Sequence, residues 1–255
     1  MNEWERAVDI FLRDWRSKPE VIGAMVCGSY ITGNPSPRSD IDVHIILSDA
    51  VDWRERGNRI CRGFLIEYFA NTPKQIRGYF QEDFNDRRTM SMVQFITGSI
   101  VFDTAGVIGQ LRREAQEWRE RQHTGLTEAS LELKKYAIWD TLDNLYDCFE
   151  GQRADFHFSY HNSLMRLFKE YCEVLQLEPI PYYQIYSYLS DSMYLAKYLK
   201  SRFPDEAFKH MFIQALQEAD RNKMMQYYDR LSQHVLTQMG GFDIDGWTLR
   251  SPTEV

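Results

Sequence analysis

Cysteine is sparse and unpaired in this chain: Cys27, Cys61, Cys148 and Cys172 are scattered, with no CxxC pair. That pattern argues against a zinc knuckle or a dense disulfide framework and leaves reduced thiols packed in a core. No stretch is apolar and long enough to cross a bilayer. The first residues, MNEWERAVDIFLRDW, carry charges where a signal peptide has a continuous apolar centre, so a cytoplasmic protein without a membrane partner is expected. Internal repeats and low-complexity tracts are also missing. Positive charge is in deficit, with 30 Lys and Arg against 37 Asp and Glu and a net charge of −7. A long nucleic acid, whose phosphates must be neutralised one by one, is a poor expected partner.

What the chain does have is core material. Its 255 residues are 44% hydrophobic and 14% aromatic, enough for one large or two small packed domains. Apolar residues at helical spacing over 3–16 predict an amphipathic first helix. The run 20–27 reads as a buried strand, 40–47 as a second, rich in isoleucine and valine, and 62–70 as a third. Thr72-Pro73 supplies a cap and a first-turn proline for the helix that follows, and 100–103 reads as a short fourth strand. From about residue 126 the pattern turns wholly helical, with helices expected over 126–150, 157–177, 183–200, 205–218 and 220–238. The expected boundary divides residues 1–122 from 123–255, with an irregular tail after Gly240-Gly241.

The chemistry concentrates in GSYITGNPSPRSDID, residues 28–42. Side chains alternate along a strand, so Asp40 and Asp42 project from one face with Ile41 on the other. Two carboxylates held together repel, and a divalent cation between them relieves the repulsion. Magnesium favours such hard oxygen ligands and fills its remaining positions with phosphate oxygens and water. The Gly28-Ser29 turn suits a phosphate, since glycine admits close backbone approach and the serine hydroxyl joins the neighbouring amides. In FLIEYFA a lone charge, Glu67, interrupts an apolar strand. Such a charge is costly unless paired or bound to metal, and Arg59 or Arg62 is the structural alternative for its partner.

This glycine-serine turn, followed about ten residues later by a strand-borne Asp-x-Asp, resembles the signature of the DNA polymerase β nucleotidyltransferase superfamily. In size and layout the chain is most similar there to the antibiotic nucleotidyltransferases. The resemblance covers roughly residues 20–105. It implies an α/β (α+β) nucleotidyltransferase domain with a mixed sheet flanked by helices, followed by an all-α helical-bundle domain that binds the acceptor. It implies Asp40, Asp42 and Glu67 as catalytic and metal ligands, Gly28 and Ser29 as nucleotide-binding residues, one or two Mg2+ ions, and a nucleoside triphosphate, ATP first among them. The acceptor would be a hydroxyl of a small molecule, such as an aminoglycoside or lincosamide antibiotic. Nucleotidylation of a protein or tRNA, and a non-catalytic nucleotide-binding module, stay open beside it, as does a homodimer.

Several other residues draw attention. His44 stands where relatives often carry an acidic or apolar residue, and it reads as a cover for the active face. Asp140, Asp143 and Asp147 stack along one side of a helix with Asn144, within reach of Lys134 and Lys135 as counter-charges. Asp140 and Asp143 are candidates for a base from the helical half. The tyrosines of 182–198 read as core.

Overall fold

The computed structural model describes residues 1–250, and in it the chain forms two compact units. The first consists of Met1–Gln122 joined by Lys197–Leu199. The second consists of His123–Ala196 and the described residues from Lys200 on.

The first unit runs α1 (Glu3–Arg16), β1 (Val21–Cys27), α2 (Ser29–Thr32), β2 (Ile41–Leu47), β3 (Glu55–Cys61), β4 (Phe64–Asn71), α3 (Pro73–Asn85), α4 (Met90–Thr97), β5 (Ser99–Asp103) and α5 (Val107–Arg119). The five strands form one sheet in the order β3-β4-β2-β1-β5. The β2–β4 pair is parallel and the remaining pairs are antiparallel, so the sheet is mixed.

Alternation along β2 sorts its side chains. Ile41, Val43, Ile45 and Leu47 join Val8, Phe11, Leu12 and Trp15 of α1 in one core. Ile46 joins Ile76, Phe80, Met92, Phe95, Ile108 and Leu111 of α3, α4 and α5 in the other. Each such large apolar side chain, taken fully out of water, contributes about 1.5–3 kcal/mol. Both faces of the central strands are thereby covered, except where Asp42 replaces an apolar residue at the start of β2.

Caps follow the sequence. Thr72 accepts a hydrogen bond from the Gln75 amide at 3.3 Å, with Pro73 in the first position of α3. Asp103, at the end of β5, accepts from the amides of Val107 at 3.0 Å and Ile108 at 2.9 Å, so its carboxylate serves as the start of α5.

The second unit holds α6 (Glu128–Glu150), α7 (Phe156–Val174), α8 (Ile185–Ser190), most of α9 (Ser192–Lys197), α10 (Glu206–Gln217) and α11 (Arg221–Gln238). Phe156, Tyr160, Phe168, Phe208, Phe212 and Tyr228 fill its core. Tyr171 and His234 both bond Asp205 Oδ2 at 2.6 Å, while Asp205 also caps α10 through the Phe208 amide.

Three expectations are corrected. The strand β3, with sequence ERGNRIC, has no counterpart among the expected strands because it is a polar, exposed edge strand with no buried face to generate alternation. The single helix expected over 183–200 is instead a 3-10 turn at Tyr182–Gln184 followed by α8 and α9. Asp191 makes the break: its backbone is extended and its side chain accepts from the Met193 amide at 2.8 Å, restarting the helix one residue on. Of the tyrosines there, Tyr188 and Tyr194 are buried, but Tyr182, Tyr183 and Tyr186 are exposed. Residues 242–250 form no helix or strand, and the final five lie outside the described residues.

Candidate active site

The parallel register of β2 and β4 sets Asp42 directly beside Glu67. Asp40, one residue before β2, shares the face of Asp42 because it lies two positions away. The three carboxylates each offer an oxygen within 4.8 Å of the others. Burial, and then the negative charges of Asp40 and Glu67, push the Asp42 carboxyl up to about 7. A hard divalent cation is the kind of partner that would offset such a cluster of carboxylates.

Gly28 closes β1 and brings its backbone against the same carboxylate. It adopts φ +77°, and a Cβ built on it would stand 2.0 Å from Asp42 Oδ2. Glycine is therefore required twice over, by conformation and by contact. Its carbonyl accepts from the Ile31 and Thr32 amides at 3.2 and 3.1 Å, which fixes the single turn of α2, and Ser29 is buried at the start of that turn. The first amides of a helical turn have no partner within it and suit an anion. Cys27, fully buried beside them, has its thiol pushed far up by burial and by Asp42 and Asp40, so it is inert at neutral pH.

Glu67 has a cationic partner, though neither of the two expected from sequence. Arg56 of β3 donates to Glu67 Oε1 from Nη2 at 2.7 Å and from Nε at 3.2 Å, while Arg62 pairs with Glu3 and Arg59 lies 3.9 Å from Asp14. Arg56 was invisible because its strand was. In the loop before Asp40, Ser39 accepts from the Ser36 amide at 2.8 Å and Arg38 is exposed.

His44 lies one step further along the face of Asp42. It is 7% exposed, stacks on Phe69 with centroids 5.2 Å apart, and meets Phe95 edge-on at 5.1 Å. Burial pulls its pKa down to about 4, so the ring is neutral. Its Nε2 is 3.3 Å from Gln94 Oε1 and its Nδ1 has no protein partner.

Sequence reasoning missed Lys197. It ends α9, yet it belongs with Tyr198 and Leu199 to the first unit, where Arg119 donates to the Leu199 carbonyl. Its charge acts on Asp42, lowering the pKa that burial raises. No local pattern marks it, because only the return of the chain brings it there. Asp140 and Asp143 lie on α6 in the second unit. The lysines expected to balance them are engaged elsewhere, Lys134 with Glu170 and Glu173, and Lys135 with Glu132.

Residues 7–94 match the family model described as a nucleotidyltransferase domain, a span that contains Gly28, Ser29, Asp40, Asp42 and Glu67. Among solved structures the chain is similar to a nucleotidyltransferase-like protein from Exiguobacterium sibiricum, at 11% identity over 92% of this chain and 75% of that one, with a TM-score of 0.45. No curated protein matches.

Proposed function

With residues 7–94 forming a nucleotidyltransferase domain of the polymerase β superfamily, and the chain therefore a nucleotidyltransferase, we propose that it moves a nucleoside monophosphate from a nucleoside triphosphate to a hydroxyl of a small molecule, with magnesium as cofactor. The observation that carries this reading is the convergence of Asp40, Asp42 and Glu67 beside the Gly28 turn.

Three carboxylates in mutual repulsion, one of them pushed up to about 7 by burial and by its two acidic neighbours, fit a divalent metal. Asp40, Asp42 and Glu67 would hold it, and when bound it neutralises phosphate oxygens and aligns the groups that enter and leave. Ser29 and the amides at the start of α2 hold the triphosphate. Glu67 accepts the proton of the acceptor hydroxyl. The new bond forms from that oxygen to the alpha phosphorus as the bond to pyrophosphate breaks, and pyrophosphate departs with the electron pair. Residues 1–122 act as the catalytic domain, and the helical domain of 123–255 binds the body of the acceptor.

The test is incubation with labelled ATP, GTP, CTP or UTP, magnesium and an acceptor panel that includes kanamycin, streptomycin and lincomycin, with pyrophosphate followed. Magnesium-dependent release with at least one nucleotide is expected, with ATP the first candidate. Failure of all four to bind sinks the proposal.

Lys197 is assigned to the triphosphate, since its ammonium is the cation that acts on Asp42 from outside the family match. Lys197→Gln should raise the KM for the nucleotide about tenfold, the loss of one hydrogen bond to a charged group. A steady-state titration that leaves KM unmoved would remove Lys197 from the site.

A further inference from the structure

We propose, resting on the transfer reading of Asp40, Asp42 and Glu67, that Arg56 is a positioning residue and built-in counter-ion for the carboxylate cluster. It occupies one oxygen of Glu67 and opposes tight binding of a divalent cation in the nucleotide-free protein, so that the cation is gained and lost with the triphosphate.

The bonding of Arg56 is unusual for its type. A guanidinium free to choose meets a carboxylate fork to fork, with one bond to each oxygen. Arg56 instead directs both Nη2, at 2.7 Å, and Nε, at 3.2 Å, to Glu67 Oε1. Among the described residues no other hydrogen bond reaches Glu67. One ligand oxygen of the cluster is thus taken by a fixed positive charge, while Oε2 keeps its lone pairs for a cation.

The neighbouring arginines turn elsewhere. Arg54 donates to the Tyr79 hydroxyl at 2.8 Å, Arg59 lies 3.9 Å from Asp14, and Arg62 bonds Glu3 at 2.9 Å. Arg56 is also braced: its guanidinium lies 4.9 Å over the Phe69 ring. Phe69 stacks on His44, and His44 Nε2 is 3.3 Å from Gln94 Oε1 on α4. The buried His44 therefore has a part in this assembly, as the backing of the ring on which Arg56 rests. The Arg56 side chain is 69% exposed, and a pair so open to water adds little to stability. Its larger effect is on the charge that an incoming cation meets.

That effect has a definite sign. Lys197 acts on Asp42 less strongly than Asp40 or Glu67 does, so the cluster attracts cations and the Arg56 charge opposes them. A unit positive charge about 6 Å from a divalent ion lowers its affinity about tenfold even at the dielectric of water. Magnesium bound to ATP differs, because that complex is negative and brings phosphate oxygens as ligands. Removal of the guanidinium gives it no advantage.

The experiment titrates Mn2+, which suits the same oxygen ligands as magnesium, into the full chain by calorimetry. Low salt and pH 8 are used, where Asp42 is charged, with the wild type, Arg56→Gln and Arg56→Lys. Arg56 stands on an exposed edge strand, so both variants keep the fold. Arg56→Gln is expected to bind Mn2+ about tenfold more tightly than the wild type, and Arg56→Lys, which keeps the charge, within about threefold of it. A purely structural role would leave the affinity unchanged or lower it. Binding of Mn2+ to none of the three, an Arg56→Gln affinity equal to or below that of the wild type, or the same tightening in Arg56→Lys overturns the proposal. ATP with magnesium is titrated in parallel, and Arg56→Gln should bind it no more tightly than the wild type does. Equal tightening toward Mn2+ and toward magnesium-ATP overturns the link to the triphosphate. If the wild type fails to bind ATP, the transfer reading falls, while the Mn2+ series still decides whether Arg56 opposes the cation.

Discussion

Replacing Asp42 by asparagine is expected to abolish nucleotidyl transfer and, in the absence of metal, to make the protein more stable at pH 8. Asp42 keeps its proton to about pH 7 in the folded protein, against 3.8 for the ordinary side chain. Between those values the folded state binds more protons than the unfolded state, so stability falls as pH rises through the window. Below about pH 4 both states are protonated and the effect vanishes. Once charged, the carboxylate opposes folding by an amount on the order of 4 kcal/mol, which is the free energy of moving a pKa from 3.8 to about 7. Asparagine has the same shape and no charge to lose. Thermal unfolding of the metal-free wild type should therefore shift downward between pH 5 and pH 8, while that of Asp42→Asn shifts much less. Magnesium at pH 8 should recover the wild type by binding the folded state alone and leave the variant unmoved. Turnover should fall by about a thousandfold or more, as when a charge-stabilising group is removed from a transfer site. A variant less stable than the wild type at pH 8, or one that responds equally to magnesium, would show that the carboxylates do not form a metal site.

The parts of this site that are legible in sequence are those whose signal is local. Asp40 and Asp42 announce themselves through strand alternation, Gly28 and Ser29 through turn chemistry, and Glu67 through the cost of a lone charge between Ile66 and Tyr68. All five fall within ten residues of a strand that the apolar pattern defines. The partners that tune them are not local. Arg56 reaches Glu67 from an edge strand so polar that it has no apolar periodicity. Lys197 arrives from more than a hundred residues away, through a segment where Asp191 breaks an otherwise helical pattern. His44 could be read as a cover for the active face, but its stacking on Phe69 depends on the register between β2 and β4, which no residue of either strand encodes by itself. The mixed sheet with flanking helices, and the helical half after it, followed from periodicity and resemblance because both are averages over many residues.

Gly28→Ala should damage the site more than its small size suggests, and Gly33→Ala provides the comparison that isolates the reason. Both glycines have positive φ, +77° and +87°, where an alanine costs about 1–2 kcal/mol in either turn. Their surroundings differ. Nothing lies within 4 Å of a Cβ on Gly33, whereas a Cβ on Gly28 would meet Asp42 Oδ2 at 2.0 Å and Cγ at 3.1 Å. The Asp42 carboxylate would have to swing out of line with Asp40 and Glu67, or the turn would have to open and release the bonds from Ile31 and Thr32 to the Gly28 carbonyl. Either movement shifts Asp42 relative to Asp40, Glu67 and the first amides of α2, the groups proposed to hold metal and triphosphate, and a misplacement of about an ångström is enough to lower turnover about a hundredfold. The two alanine variants should thus lose similar stability to backbone strain. Only Gly28→Ala should also lose the magnesium-induced rise in Tm and most of its pyrophosphate release. Equal activity in the two variants would mean that the contact between Gly28 and Asp42 does not position the carboxylate, and that the turn serves the fold alone.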